Sequence, residues 1–177
     1  EIVHRLGMGH HLVGRSHGCD DPALALALPI VTAPKVDPNA RSADIDSQVR
    51  AQSASGGPLY HLNNAAIAEL EPSVILTQEH CRICAVTADD VACAAKETAA
   101  TVVTVSPTTL ADVMQDVRTV AQAMGVPERG ERLVRVLMQR LDMVTATVAR
   151  SPSTAPPKVA HLEWLDPLMG SGYWIAE

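Results

Sequence analysis

The sequence predicts an α/β fold: a parallel sheet flanked by helices, then one long helix, then the start of a second α/β lobe. Three observations carry this. Short runs rich in Val, Ile and Leu alternate with helical patterns along residues 11–125, the order expected of parallel βαβ units. One apolar stripe runs through residues 127–150. A Pro-rich joint, "SPSTAPP" at 151–157, separates that stripe from a fresh strand-like run. On this pattern residues 1–126 form a first lobe, 127–150 a connecting helix, and 151–177 a linker with the opening of a second lobe.

The elements follow in order. "EIVHRLG" reads as the inside of a helix, with apolar Ile2, Val3 and Leu6 and with Gly7 as its C′ residue. Strand-like runs follow at 11–16, 28–32, 58–62, 73–77, 101–105 and 158–164. Between them lie helical patterns at 42–55, 63–70, 87–100 and 108–125. Ser42, Asn63 or Asn64, and Thr87 are the expected N-caps, because their side chains can accept the free N–H groups of a first turn. Asp89 and Asp90 suit the positive start of their helix. Gly125 is the expected stop of the fourth helix. Pro127 suits the first turn of the next. There Leu133, Leu137, Leu141, Val144 and Val148 recur at helical spacing, which predicts one helix of at least about five turns.

Composition narrows the function. The chain has 177 residues and a net charge of −6. That charge, with no basic run, argues against non-specific nucleic-acid binding, because a phosphate backbone needs a basic face. No apolar stretch approaches the roughly 20 residues of a membrane-spanning helix. Phe is absent, and Trp164, Tyr173 and Trp174 crowd near the C-terminus. The core before them is therefore expected to be aliphatic. The opening residue is Glu1 and the first segment lacks an N-cap, so the chain reads as a fragment or a processed form.

Two segments could carry chemistry, and each follows a strand-like run. Open α/β sheets place their ligands at the carboxyl ends of their strands. In "TQEHCRICAV" (77–86), Cys81 and Cys84 form a CxxC pair. That pair has three readings. It could bind zinc with Cys19 and His17 or His80. It could be a redox pair. It could be a local disulfide, or plain thiols lining a ligand. In "RSHGCDDP" (15–22), His17, Cys19 and Asp20 could face the same cleft as His80 and Cys81; the plainer reading is a turn in which Asp20 bonds local backbone. Cys93, among alanines in a helical pattern, reads as a small core residue. "GMGHHLVG" superficially resembles a dinucleotide fingerprint, but its glycines end a helix and precede a strand, the reverse of what that motif needs. His10 and His11 read as exposed turn residues. No nucleophile with an adjacent base is recognisable, so no enzyme activity and no catalytic residue is expected.

"GRSHGCDDP", "LPIVT", "LYHLN", "SVILTQEHCRICAV", "VVTVSPTTLADVMQDV" and "HLEWLDPLMGSGYWIAE" occur in this order over nearly the whole chain. Together they resemble the helical-backbone (class III) periplasmic substrate-binding proteins of ABC transporters. The nearest branch is the one usually labelled cobalamin-binding, which carries an SHxCDxP turn, a TQxxCxxCAV loop and an EWxDPxxxxGxW segment. The resemblance implies two α/β lobes joined by one long helix, with ligand held in the cleft between them. It implies capture of a corrinoid such as cobalamin, delivery to an ABC-type membrane permease, and a periplasmic or other extracytoplasmic, membrane-associated location.

The ligand-binding residues implied are His17, Cys19, Asp20, Lys35, Gln78, His80, Cys81 and Trp174. No resident cofactor and no protein-bound metal are expected, the corrinoid being cargo. His17 or His80 could approach its cobalt, more in a second-sphere role than as an axial ligand. Trp174 could supply an aromatic face, whereas Trp164 reads as a core residue. Two departures stand out against the family. Its usual first strand and most of its second lobe have no counterpart here, so this chain alone is expected to bind a corrinoid weakly. Where vitamin B12 transport proteins carry aromatic first-lobe loops, this chain has Gly18, Lys35 and Gln78. A metal, siderophore or haem-chelate carrier on the same fold is one alternative; an intracellular corrinoid-handling protein is another.

Overall fold

The computed structural model describes residues 1–79, 86, 88–150 and 157–170, without the side chains of 88–90 and 93. The helices are α1 (Ile2–Arg5), α2 (Ser42–Ala54), α3 (Asn64–Leu70), α4 (Ala88–Thr98), α5 (Leu110–Ala123) and α6 (Pro127–Ala149). The strands are β1 (Thr32–Pro34), β2 (Tyr60–Leu62), β3 (Val74–Gln78), β4 (Thr101–Val105), β5 (Leu162–Leu165) and β6 (Leu168–Gly170). Short 3₁₀ turns occupy Gly9–His11 and Ala23–Ala27.

The helix ends follow local chemistry. Asn63 caps α3 by accepting the Ala66 N–H at 3.0 Å. At α5 the Thr109 hydroxyl accepts the Asp112 N–H at 3.1 Å, and the Asp112 carboxylate accepts the Thr109 N–H at 2.9 Å. This reciprocal capping box satisfies two donors that a helix start leaves free. Bonds from the Thr108 backbone N–H and hydroxyl, and then those from Thr109, hold the Asp112 carboxyl below its usual range. Gly7 and Gly125 take the left-handed conformation at φ +73° and +70°, which stops α1 and α5 without the steric cost of a Cβ. Ser42 is not the cap expected of it. The flanking residue at the start of α2 is Arg41, which makes no side-chain cap bond and instead pairs with Asp44 at 2.9 Å.

The core is aliphatic, as its composition requires. Val3, Leu6, Val120 and Ala121 form one buried cluster, and Met114, Val117 and Val134 another. These clusters lie where α5 packs on α6 and α1 on α5. Gly130 permits the close approach, since a Cβ there would sit 2.6 Å from the Ala121 methyl. Arg129 Nη1 donates to the Leu6 carbonyl at 3.1 Å, tying α6 to the end of α1. With 23 residues, α6 is about 34 Å long. Its stripe is half-buried at Leu133, Leu137 and Leu141, but Val144 and Val148 are 62% and 67% exposed.

The β-structure departs from a single parallel sheet over residues 11–105. β3 and β4 are parallel, with Val74 opposite Thr101 through Gln78 opposite Val105. β1 and β2 are antiparallel, with Thr32 opposite Leu62 and Pro34 opposite Tyr60. The connection between β1 and β2 leaves and returns at the same end, so it cannot produce a parallel pair. The run expected as a strand at 11–16 contributes one parallel bridge, Arg15 with Ile30, because residues 9–11 form a 3₁₀ turn. The strand expected at 158–164 begins at Leu162, turns, and pairs antiparallel with β6. Trp164 is half-buried and not a core residue. Its indole N–H donates to the Asp166 carbonyl at 2.9 Å within that hairpin. Among the described residues, no helix is long and apolar enough to cross a membrane.

Candidate ligand-binding site

The Arg15–Ile30 bridge sets the register of the first candidate loop. Arg15 N–H donates to the Pro29 carbonyl and Val31 N–H to the Arg15 carbonyl, both at 2.9 Å. Parallel pairing at this offset brings His17 level with Thr32, the first residue of β1. The His17 backbone N–H donates to Thr32 Oγ1 at 3.0 Å, and the ring Nδ1 lies 2.7 Å from the same oxygen. The ring also stacks on Tyr60, with centroids 5.2 Å apart and planes inclined by 30°. Tyr60 reaches it because β2 pairs Tyr60 with Pro34, at the far end of β1. Partial burial pushes the Tyr60 hydroxyl above the usual phenol range, so it stays neutral at physiological pH.

Residues 16–19 close around one cation. Arg15 Nη1 donates to the carbonyls of Ser16, His17 and Cys19 at 3.2, 3.5 and 3.1 Å. The Ser16 hydroxyl donates to Cys19 Sγ at 3.2 Å, and that thiol is free and exposed. His17 and Asp20 are exposed too. The turn is thus organised by Arg15 and Ser16, not by the Asp20 side chain the sequence suggested. A hydrogen-bonded loop that presents an imidazole, a thiol and a carboxylate to solvent offers polar contacts to a ligand at a sheet end.

Lys35 follows β1 directly. Its backbone N–H donates to the Leu59 carbonyl at 2.9 Å, and its side chain is exposed. Gln78 is half-buried at the end of β3, opposite Val105. The structure therefore gathers His17 and Cys19 in one loop, and β1 joins that loop to Lys35. Gln78 stands in a different sheet, that of β3 and β4. His80, Cys81, Cys84 and Trp174 lie outside the described residues, and so does the expected meeting of loops 16–22 and 77–85. The side chain of Cys93 is likewise outside them. His10 and His11 are exposed in their turn. Among the described residues, no three His, Cys, Asp or Glu side chains gather into a group that could hold a metal ion.

Sequence reasoning missed Arg15, Thr32 and Tyr60. Each had a weak signal: an Arg ending an apolar run, a Thr ending "LPIVT", and a Tyr in an otherwise aromatic-free first lobe. None becomes meaningful until the 15–30 register is known.

No family model matches the chain, and no curated protein matches it. Among solved structures it is similar to the periplasmic heme-binding protein RhuT from Roseiflexus sp. RS-1 in its apo form, with a TM-score of 0.66 and 24% identity. The match covers 92% of this chain and 51% of that one, so the chain spans about half the length of that protein. At this identity the likeness is one of fold: an α/β arrangement with flanking helices and one long helix, as the sequence predicted, in which β3 and β4 are the parallel pair.

Proposed function

We propose that this chain belongs to an extracytoplasmic substrate-binding protein that captures a wide, flat, metal-bearing macrocycle, a corrinoid first of all, for uptake through an ABC-type permease. The observation that carries the reading is the exposed His17 loop, hydrogen-bonded to Thr32 at a strand end of a fold shared with a periplasmic heme-binding protein. Corrinoids and haem present the same problem to a binding site: a broad apolar face, a polar rim and a metal at the centre. Such a ligand calls for apolar or aromatic contacts with a few well-placed polar groups. On this reading His17, Cys19, Asp20, Lys35 and Gln78 supply first-lobe contacts, His80 and Cys81 add to them, and Trp174 offers an aromatic face. The protein acts as a carrier, not as an enzyme.

A haem carrier on the same fold is the second reading, favoured by what its structural neighbour is named for. Separate titrations with cobalamin, haem and zinc, followed by absorbance and by metal content, decide between them. Tighter binding of cobalamin than haem supports the corrinoid assignment. The reverse order moves it to haem. Stoichiometric zinc without either macrocycle would replace both readings with direct ion capture by the Cys and His side chains. Cell fractionation tests the location; a cytoplasmic protein would make it an intracellular corrinoid handler.

A further inference from the structure

We propose that Arg15, Thr32 and Tyr60 are positioning residues that preset His17 as the axial donor to the metal of the bound macrocycle, with Nε2 facing the ligand. The inference rests on the macrocycle reading above and names the atom through which the metal is recognised.

Three independent constraints act on one side chain. Arg15 fixes the backbone, because one of the three carbonyls around its Nη1 belongs to His17 itself. Thr32 fixes the ring rotation, since its Oγ1 meets both the backbone N–H and Nδ1 of His17. Tyr60 covers one face of the ring. An exposed side chain ordinarily has rotamer freedom that binding must remove, and here that cost is met before any ligand arrives. The constraints also leave Nε2 as the ring nitrogen without a described partner, on a residue that is exposed.

The proton inventory fits a metal donor. A hydroxyl oxygen offers two lone pairs and one proton. Thr32 Oγ1 can therefore accept both the backbone N–H and an Nδ1–H, which leaves the Nε2 lone pair free. If the hydroxyl instead donates to Nδ1, the proton sits on Nε2 and no metal can bind there. Thr32 supports either tautomer with its hydrogen bonds intact, so a metal at Nε2 selects the first without breaking a contact. Histidine ligands in general are oriented in this way, through the hydrogen bond made by their other nitrogen.

The test compares ligands that can take an axial donor with close analogues that cannot. Ferric haem is set against metal-free protoporphyrin IX, and aquacobinamide against dicyanocobinamide, whose axial positions are both filled. The protein is expected to prefer the ligatable member of the pair it binds, and to give absorbance and electron paramagnetic resonance spectra of imidazole coordination with ferric haem. His17→Ala and Thr32→Val should each lower that preference, by about 10–100-fold for the latter, as is usual for loss of a group that orients a metal ligand. Thr32→Ser should restore it, because the hydroxyl returns, and a fold defect would not be rescued in this way. Arg15→Lys should lower it less than Arg15→Ala, and Tyr60→Phe should retain it. Equal binding of both members of a pair, with spectra unchanged in His17→Ala, would overturn the inference and leave the macrocycle reading intact. Failure to bind any of the four would overturn that reading, and this one with it.

Discussion

Two strand–helix–strand segments of this chain look alike in sequence and fold differently. β3–α4–β4 gives a parallel pair, and β1–α2–β2 an antiparallel one. The difference lies in the helix. α4 buries Val91 and Ala94, at 4% and 1% exposure, and packs against β3, β4 and α3. A helix with an apolar face must lie across the sheet to bury it, which carries the chain to the starting edge of the next strand. α2 buries no residue fully. It is held by polar side chains that reach the chain on either side: Gln48 Oε1 accepts the Asp37 N–H at 3.0 Å, and Gln52 Nε2 donates to the Pro58 carbonyl at 3.1 Å. With no face to cover, α2 serves as an excursion that returns to the end it left. That return places Tyr60 beside Pro34 and within reach of His17.

The largest effect should come from breaking the α4 crossover. Val91→Asp would place an unpaired charge against the β3–β4 sheet and should cost at least about 3 kcal/mol. Urea denaturation is expected to show this, or the variant to fail to accumulate folded. A loss below 1 kcal/mol would mean that α4 does not hold the crossover. Ala94→Leu is expected to cost about 1–3 kcal/mol, because a side chain at 1% exposure has no room for added methylenes. A neutral result would reveal slack under α4.

Acid should loosen the start of α2. The hydrogen bond from Arg41 holds the Asp44 carboxyl below its ordinary range. Its contribution is therefore present above the unfolded carboxylate pKa of about 3.9 and is lost as pH falls through the lower folded value. The pair is exposed and the effect small. It should appear as faster amide exchange in the first turn of α2 as pH drops toward that range, after correction for intrinsic rates. Asp44→Asn should remove the pH dependence.

The same contrast explains what was legible in the sequence. Periodicity and caps are local, so α3, α5 and α6 stand close to where Asn63, Gly125 and Pro127 put them. Strand direction is not local. "LPIVT" and "PLYHL" carry no mark of whether they run together or opposed, and the informative residues were those of α2. Its polar face, with only Ile45 and Val49 as large aliphatic residues, was a warning against a crossover. The candidate site was legible as residue types and not as a constellation. His17 and Cys19 stand in the loop expected of them, but their organiser Arg15 and anchor Thr32 depend on a single bridge between residues far apart in sequence. α6 teaches the converse. Its stripe was read as one continuous surface, yet α5 covers only the first part, and Val144 and Val148 remain exposed.

The smallest effect is also the sharpest test, because it applies one substitution to both helices. Val→Ala removes two methyl groups and raises helix propensity by up to about 0.7 kcal/mol, since Ala has no branched Cβ to restrict. In α4 the loss should dominate: a fully buried methylene is worth about 0.8 kcal/mol, and the vacated space adds a cavity term. Val91→Ala should therefore destabilise by roughly 1–2 kcal/mol after the propensity gain. In α2, Val49 is only half-buried, so less apolar area returns to water and the two contributions nearly cancel. Val49→Ala should change stability by less than about 0.5 kcal/mol, the usual range for positions away from a packed core. The two variants should be measured under one set of urea conditions and compared by midpoint at unchanged slope. If both cost the same, α2 is packed as tightly as α4, and its burial cannot be the reason that β1 and β2 run opposed.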